Sequence, residues 1–236
     1  FLAIGVPGTV HGLLTVLDDF GTLPRSQVLG PAIRLAEDGF TVSHEFACSL
    51  RDERERLIRY PSTAAIFYAD GEPPEFAATL RQRDLADTLK AIRDEGAAAF
   101  YKGHIADLIA DHVCQNGGII TSDDLAHYSC KYRQPFEFSY KQHQFITHPV
   151  PSSGGVTLAQ ILKLLEPLSL RDTGYHSAKY VHVIAEAERL AFADRNYYLG
   201  DPDFVDVPDS YLISEAYIQK RRRAIPANRA GKRKSV

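Results

Sequence analysis

The residues best suited to chemistry lie together in the second half of the chain: Pro151, Ser152, Ser153, Gly154 and Gly155, just ahead of a helix-period run of Leu158, Ile161, Leu162 and Leu165. A glycine pair at a helix start leaves backbone N–H groups free and lets a ligand approach them, which suits a carboxylate or another anion. The same residues also suit a plainer role, in which Ser152 or Ser153 caps the helix and the glycines allow a tight turn. The G-x-x-x-x-G-K-[ST] spacing of a phosphate loop is missing.

Other groups carry less. His182 and Glu186 stand four apart, a spacing that metal sites use, but no third ligand matches and H-E-x-x-H is absent. A surface i,i+4 pair is the expectation. Asp201, Asp203, Asp206 and Asp209 crowd one loop, and Val205 stands where a calcium loop needs an oxygen, so turns and caps are expected of them. His112, on or beside an apolar face, reads as a packed, hydrogen-bonded side chain. The three cysteines, Cys48, Cys114 and Cys130, are odd in number and lack metal spacing, which argues against a disulfide framework and against zinc. Neither a metal nor a cofactor is expected.

A serine nucleophile of the G-x-S-x-G type is absent, and Phe1 cannot serve as an N-terminal nucleophile, which requires Thr, Ser or Cys with a free α-amine. The residues therefore offer one anion-loop candidate and no attacking group with a proton acceptor of its own.

The elements that must position this loop are mostly helices. A glycine turn around Gly5 and Gly8, with Thr9 able to cap, precedes Leu13, Leu14 and Leu17, and Gly21 stops that helix. Ala32, Leu35, Ala36 and Gly39 recur at helical spacing, with Pro31 in the first turn. Ser43 caps a longer, solvated helix that Pro61 ends near Tyr60. Residues 65–68 read as a short strand, followed by a turn through Asp70 and Gly71. Leu85, Leu89 and Ile92 mark one helix, and Ile105, Leu108, Ile109 and His112 mark the next, which Gly117 and Gly118 close. Thr121 to Asp124 form a capping box opening a short helix through Tyr128. Phe136, Phe138 and Tyr140 alternate with polar residues, and with residues 145–147 they make a hairpin. Residues 177–198 form a last helix with Tyr180, Ile184, Ala187 and Ala191 on one face, whose Glu186, Glu188, Arg189, Asp194 and Arg195 must face water or pair.

A chain of 236 residues, 44% hydrophobic and 24% charged, has enough length for one large core or two small ones, and no apolar run reaches membrane-spanning length. It begins at Phe1 and contains no methionine, so a fragment boundary is the expectation. The formal net charge of -3 conceals eight basic residues and no acid in residues 219–236. That run lacks aromatic side chains for stacking bases, so a mobile linker is expected and nucleic acid is not.

Taken in order, six stretches and a tail to one of them resemble a known family: G-x-P-G-T-V-x-G (residues 5–12), P-A-I-R-L-A-E-D-G-F (31–40), F-Y-K-G (100–103), N-G-G-I-I-T-S-D-D-L (116–125), P-S-S-G-G (151–155), and A-E-A-E-R-L-A-F-A-D-R (185–195) with Y-L-G-D-P-D-F (198–204). Together they look like the large subunit of a γ-glutamyltranspeptidase, over residues 5 to about 217. The resemblance implies an α+β, mostly helical part of an αββα N-terminal nucleophile hydrolase sandwich, with a small β hairpin. It implies a precursor that cuts itself into a large and a small subunit, and transfer of a γ-glutamyl group from glutathione or a similar amide to water or an amino acid. It also suggests a periplasmic or extracellular setting.

In that family the nucleophile is the threonine that begins the small subunit, and a substrate-gripping arginine lies upstream of the matched region; no residue here is assigned either role. Residues 1–218 are then a large-subunit region, and residues 219–236 a linker towards the self-cleavage point. Its expected partners are the small subunit of the same precursor and a small γ-glutamyl substrate. Ser152, Ser153, Gly154 and Gly155 would lie nearest both. A related acylase, a poly-γ-glutamate-cleaving relative and a freestanding helical interaction module are the alternatives.

Overall fold

Glycines bracket the first helix. α1 (Thr9–Phe20) has Gly8 as its N-cap, and the Gly21 N–H closes it on the Leu17 carbonyl at 2.8 Å; Thr9 is the first helical residue and not the cap. The computed structural model describes residues 1–227 and 229–231. Its contacts separate residues 1–131 from those after them as two units.

The first unit continues with α2 (Arg25–Glu37), which starts a full turn and more before Pro31 and carries that proline inside. An interior proline costs a helix bond, and the cost is met by packing. α2 lies along α6 (Arg83–Glu95), and the Arg25 guanidinium donates to the Arg93 carbonyl at 2.7 Å and the Asp94 carbonyl at 3.2 Å. Two short strands, β1 (Phe40–Thr41) and β2 (Thr79–Leu80), pair antiparallel, a ladder too short to leave a sequence pattern. Ser43 caps as expected, accepting from the Phe46 N–H at 3.2 Å, but the helix breaks at Glu53 into α3 (His44–Asp52) and α4 (Arg54–Leu57).

Pro61 does not end a helix; it starts one, α5 (Pro61–Phe67), so the strand expected at residues 65–68 is helical. Proline at the first helical position has its angle preset and loses no bond, and Tyr68, just past the helix, is pinned by its buried hydroxyl donating to the Leu50 carbonyl at 2.7 Å. α7 (Ala97–Tyr101), α8 (His104–Gln115) and α9 (Ser122–Ala126) complete the unit around Leu125, Ala106, Ala110 and Val113. α9 opens with the expected capping box between Thr121 and Asp124.

In the second unit, β3 (Phe136–Tyr140) and β4 (His143–Thr147) form the expected hairpin, with Phe136 opposite Thr147 and Tyr140 opposite His143. Lys141 takes the positive φ of 51° that the tight turn demands. Phe136 and Phe138 turn inward against Val156 and Ala159 of α10 (Gly154–Leu165). α10 lies along α11 (Ala178–Tyr198), where Ala187, Leu190 and Ala191 are fully buried; the small side chains allow the close approach that the sequence suggested. α12 (Asp209–Leu212) and α13 (Glu215–Arg222) close the other side of α10. The basic run from Gln219 thus opens inside a helix. Its Arg222 donates to the Lys163 carbonyl at 2.7 Å.

Candidate functional site

The chain leaves β4 through a buried Val150 and a cis Val150–Pro151 peptide. The Ser152 N–H returns to the Pro149 carbonyl at 3.1 Å, and the first bond of α10 runs from the Thr157 N–H to the Ser153 carbonyl at 3.1 Å. Neither serine caps. Ser153 holds the N-cap position with helical backbone angles, and its hydroxyl does not turn to the helix. Instead Ser153 Oγ accepts from Arg195 Nε, 2.8 Å away in the last turns of α11, and Arg195 Nη1 donates to Asn196 Oδ1 at 2.9 Å.

The two glycines differ. A Cβ on Gly155 would sit 2.5 Å from the His148 carbonyl oxygen and 2.8 Å from Thr147 Cγ2, so only glycine lets the helix start lie against the strand. On Gly154 a Cβ would meet only Ser152 Oγ, at 3.7 Å, in otherwise open space. Beside the loop is a cleft of about 240 Å³ lined by Pro151, Ser153, Arg195, Asn196, Leu199 and Gly200. An exposed guanidinium and a helix start whose cap side chain is engaged elsewhere give this cleft a positive character. Ser153 is not activated there, because its partner is a guanidinium, which donates protons and does not accept them.

The remaining candidates are placed as follows. His182 and Glu186 do not pair with each other. His182 Nε2 lies 2.7 Å from the Pro226 carbonyl, and Glu186 is buried against Arg189 and the Gly231 N–H. Asp201 Oδ1 accepts the Asp203 N–H at 3.0 Å, and Arg133 donates to Asp203 at 2.9 Å; Asp209 accepts from Ser210. Among the described residues no three His, Cys, Asp or Glu side chains converge as a metal site. His112 is exposed, not packed in the apolar face, with its ring edge-on to Phe1.

Sequence reasoning missed the polar centre of this unit. Asp194 is 4% exposed. It accepts from Gln160 Nε2 at 2.9 Å, from the Tyr217 hydroxyl at 2.9 Å, and from Arg221 at 2.6 and 3.1 Å. Burial, then the bond to this carboxylate, push the Tyr217 hydroxyl well above its ordinary range. Asp194 precedes Arg195, so the network that fixes the end of α11 also fixes the residue that holds Ser153. The signal in the sequence was two acids, Glu186 and Asp194, in a helix face otherwise made of Val183, Ala187, Leu190 and Ala191.

Comparison with known proteins identifies the family. The family model described as gamma-glutamyltranspeptidase matches residues 1–235. The glutathione hydrolase proenzyme of Escherichia coli (strain K12) is 43% identical over 230 residues, covering 97% of this chain and 40% of that protein. The acylase ACY 1 proenzyme of Pseudomonas sp. (strain V22) is 40% identical over 228 residues, 97% of this chain and 41% of that protein. The crystal structure of Helicobacter pylori γ-glutamyltranspeptidase superposes with a TM-score of 0.93 at 41% identity, over 100% of this chain and 68% of that one. The chain spans about 40% of the length of the first of these curated relatives, and the shared fold is that of an N-terminal nucleophile hydrolase. A family model that matches residues 1–235, with relatives this similar, means that the chain belongs to the γ-glutamyltranspeptidase family.

Proposed function

We propose that this chain is large-subunit polypeptide of an enzyme that moves the γ-glutamyl group of glutathione, or of a similar γ-glutamyl amide, to water or an amino acid. The attacking threonine belongs to the small subunit of the same precursor. The role of residues 151–155 is to border the substrate pocket at the junction with that subunit. The observation that carries the reading is the construction of this loop: a glycine-paired helix start, its cap serine drawn away by Arg195, beside a positive cleft suited to a carboxylate. Exposed apolar positions support docking of further polypeptide, among them Leu13, Val16 and Phe20 along one face of α1.

The acylase reading stays beside it because an acylase proenzyme is nearly as similar, 40% against 43% identity. Both are tested on the full-length protein, with a chromogenic γ-glutamyl anilide and with a β-lactam bearing an acyl side chain. Turnover of the anilide is expected; turnover of the β-lactam alone transfers the proposal to the acylase class. Gly154→Leu adds a side chain in open space, so it should raise KM for the anilide about tenfold, equivalent to ~1.4 kcal/mol, with the melting temperature unchanged. Gly155→Ala, which collides with the His148 carbonyl, should instead lower stability by about 1–3 kcal/mol. An unchanged KM in Gly154→Leu removes the loop from the pocket.

A further inference from the structure

After α13 the chain returns to α11 and touches it twice. The Pro226 carbonyl meets His182 Nε2 at 2.7 Å, and the Gly231 N–H donates to Glu186 Oε1 at 2.7 Å. His182, Glu186 and Arg189 lie at i, i+4 and i+7, which puts them on one stripe of the helix. A carboxylate only 5% exposed is costly unless every lone pair finds a donor. Arg189 serves one oxygen with two bonds, Nε at 3.0 Å and Nη2 at 2.8 Å to Oε2. The other oxygen is completed by a backbone N–H from the returning segment and not by a side chain.

That contact also selects its residue. A Cβ on Gly231 would overlap Arg189 Nη2 and stand 2.6 Å from Glu186 Oε2. The Cα lies where carboxylate and guanidinium meet, so a side chain at 231 fits only if the ends of Glu186 and Arg189 give way.

We propose that the His182, Glu186 and Arg189 stripe is a binding site for a peptide backbone, filled by the chain's own strap through the Pro226 carbonyl and the Gly231 N–H. These contacts lie within the second unit and do not depend on the catalytic reading above.

Arg229 lies exposed between the two anchors, so trypsin cleavage after it reports release of the strap. Cleavage demands that several residues leave the surface together. In the full-length protein, Gly231→Val should speed cleavage at Arg229 roughly 10- to 100-fold, the loss expected for a hydrogen bond to a charged group, with the melting temperature nearly unchanged. Glu186→Gln, which keeps an acceptor but loses the charge, should give a smaller increase. The double variant should be no faster than Gly231→Val alone, because both changes act on one contact. Cleavage as slow as in the unaltered protein in Gly231→Val, or effects that multiply in the double variant, would overturn the proposal.

Discussion

α11 buries two carboxylates eight residues apart, and they are satisfied in opposite ways. Asp194 is surrounded by side chains from regular elements: Gln160 of α10, and Tyr217 and Arg221 of α13. Glu186 takes one partner from its own helix, Arg189, and completes its shell with a backbone N–H from an irregular segment. The first arrangement opens only if helices separate. The second can open while the helices stay packed, since Gly231 adds no side chain to the core. One carboxylate is thus a joint of the fold, and the other a latch on a strap.

The largest effect expected from this contrast comes from removing the joint. Asp194→Ala leaves a part-buried guanidinium, a phenol and an amide facing one another without their acceptor, and should destabilise the full-length protein by about 3–5 kcal/mol in denaturant unfolding. A loss below ~1 kcal/mol would mean that the latch and the joint are not different in kind.

The two sites should also fail at opposite ends of the pH scale. Burial pushes the Glu186 carboxyl up, but the Gly231 N–H and the Arg189 bond and charge, with His182 nearby, hold it below its ordinary 4.5. Its contribution is therefore present above about pH 4.5, and it is lost as pH falls through the lowered value. Tyr217 is shifted the other way, up from 10.0, so its contribution is complete below that pH and is lost as pH rises towards the raised value. Hydrogen exchange read by mass spectrometry, corrected for the intrinsic pH dependence of amide exchange, should show the Gly231 N–H released on the acid side while α13 stays protected. Loss of both protections together in acid would erase the distinction. This is the smallest of the expected effects, because an exposed carboxylate elsewhere titrates over the same range.

Where local chemistry dictated structure, it was legible in the residues. Gly21, Ser43, the Thr121 to Asp124 box and the alternation of Phe136, Phe138 and Tyr140 all formed what their types and spacing demanded. Several of the failures have a decisive partner that is distant in sequence. Pro31 lies inside α2 because α6 packs along that helix, and residues 65–67 are helical because Pro61 begins a turn that Tyr68 anchors on Leu50. The sequence presents the four residues at 152–155 as one unit, and the structure separates them: Ser153 is tied to Arg195, Gly155 is wedged on the strand, and Gly154 is open. No periodicity says that Arg195 reaches 42 residues back. The surface pair expected of His182 and Glu186 failed for the same reason, since both are used by a segment more than forty residues later.

The central claim is that these residues position a substrate for an attacking group carried by other polypeptide. A γ-glutamyl-mimicking electrophile reacted with the full-length protein, followed by peptide mapping, tests it most directly. The account predicts one stoichiometric label, on a threonine at a newly formed chain start outside residues 1–236. A label on any side chain within residues 1–236, competed away by γ-glutamyl substrate, would contradict it.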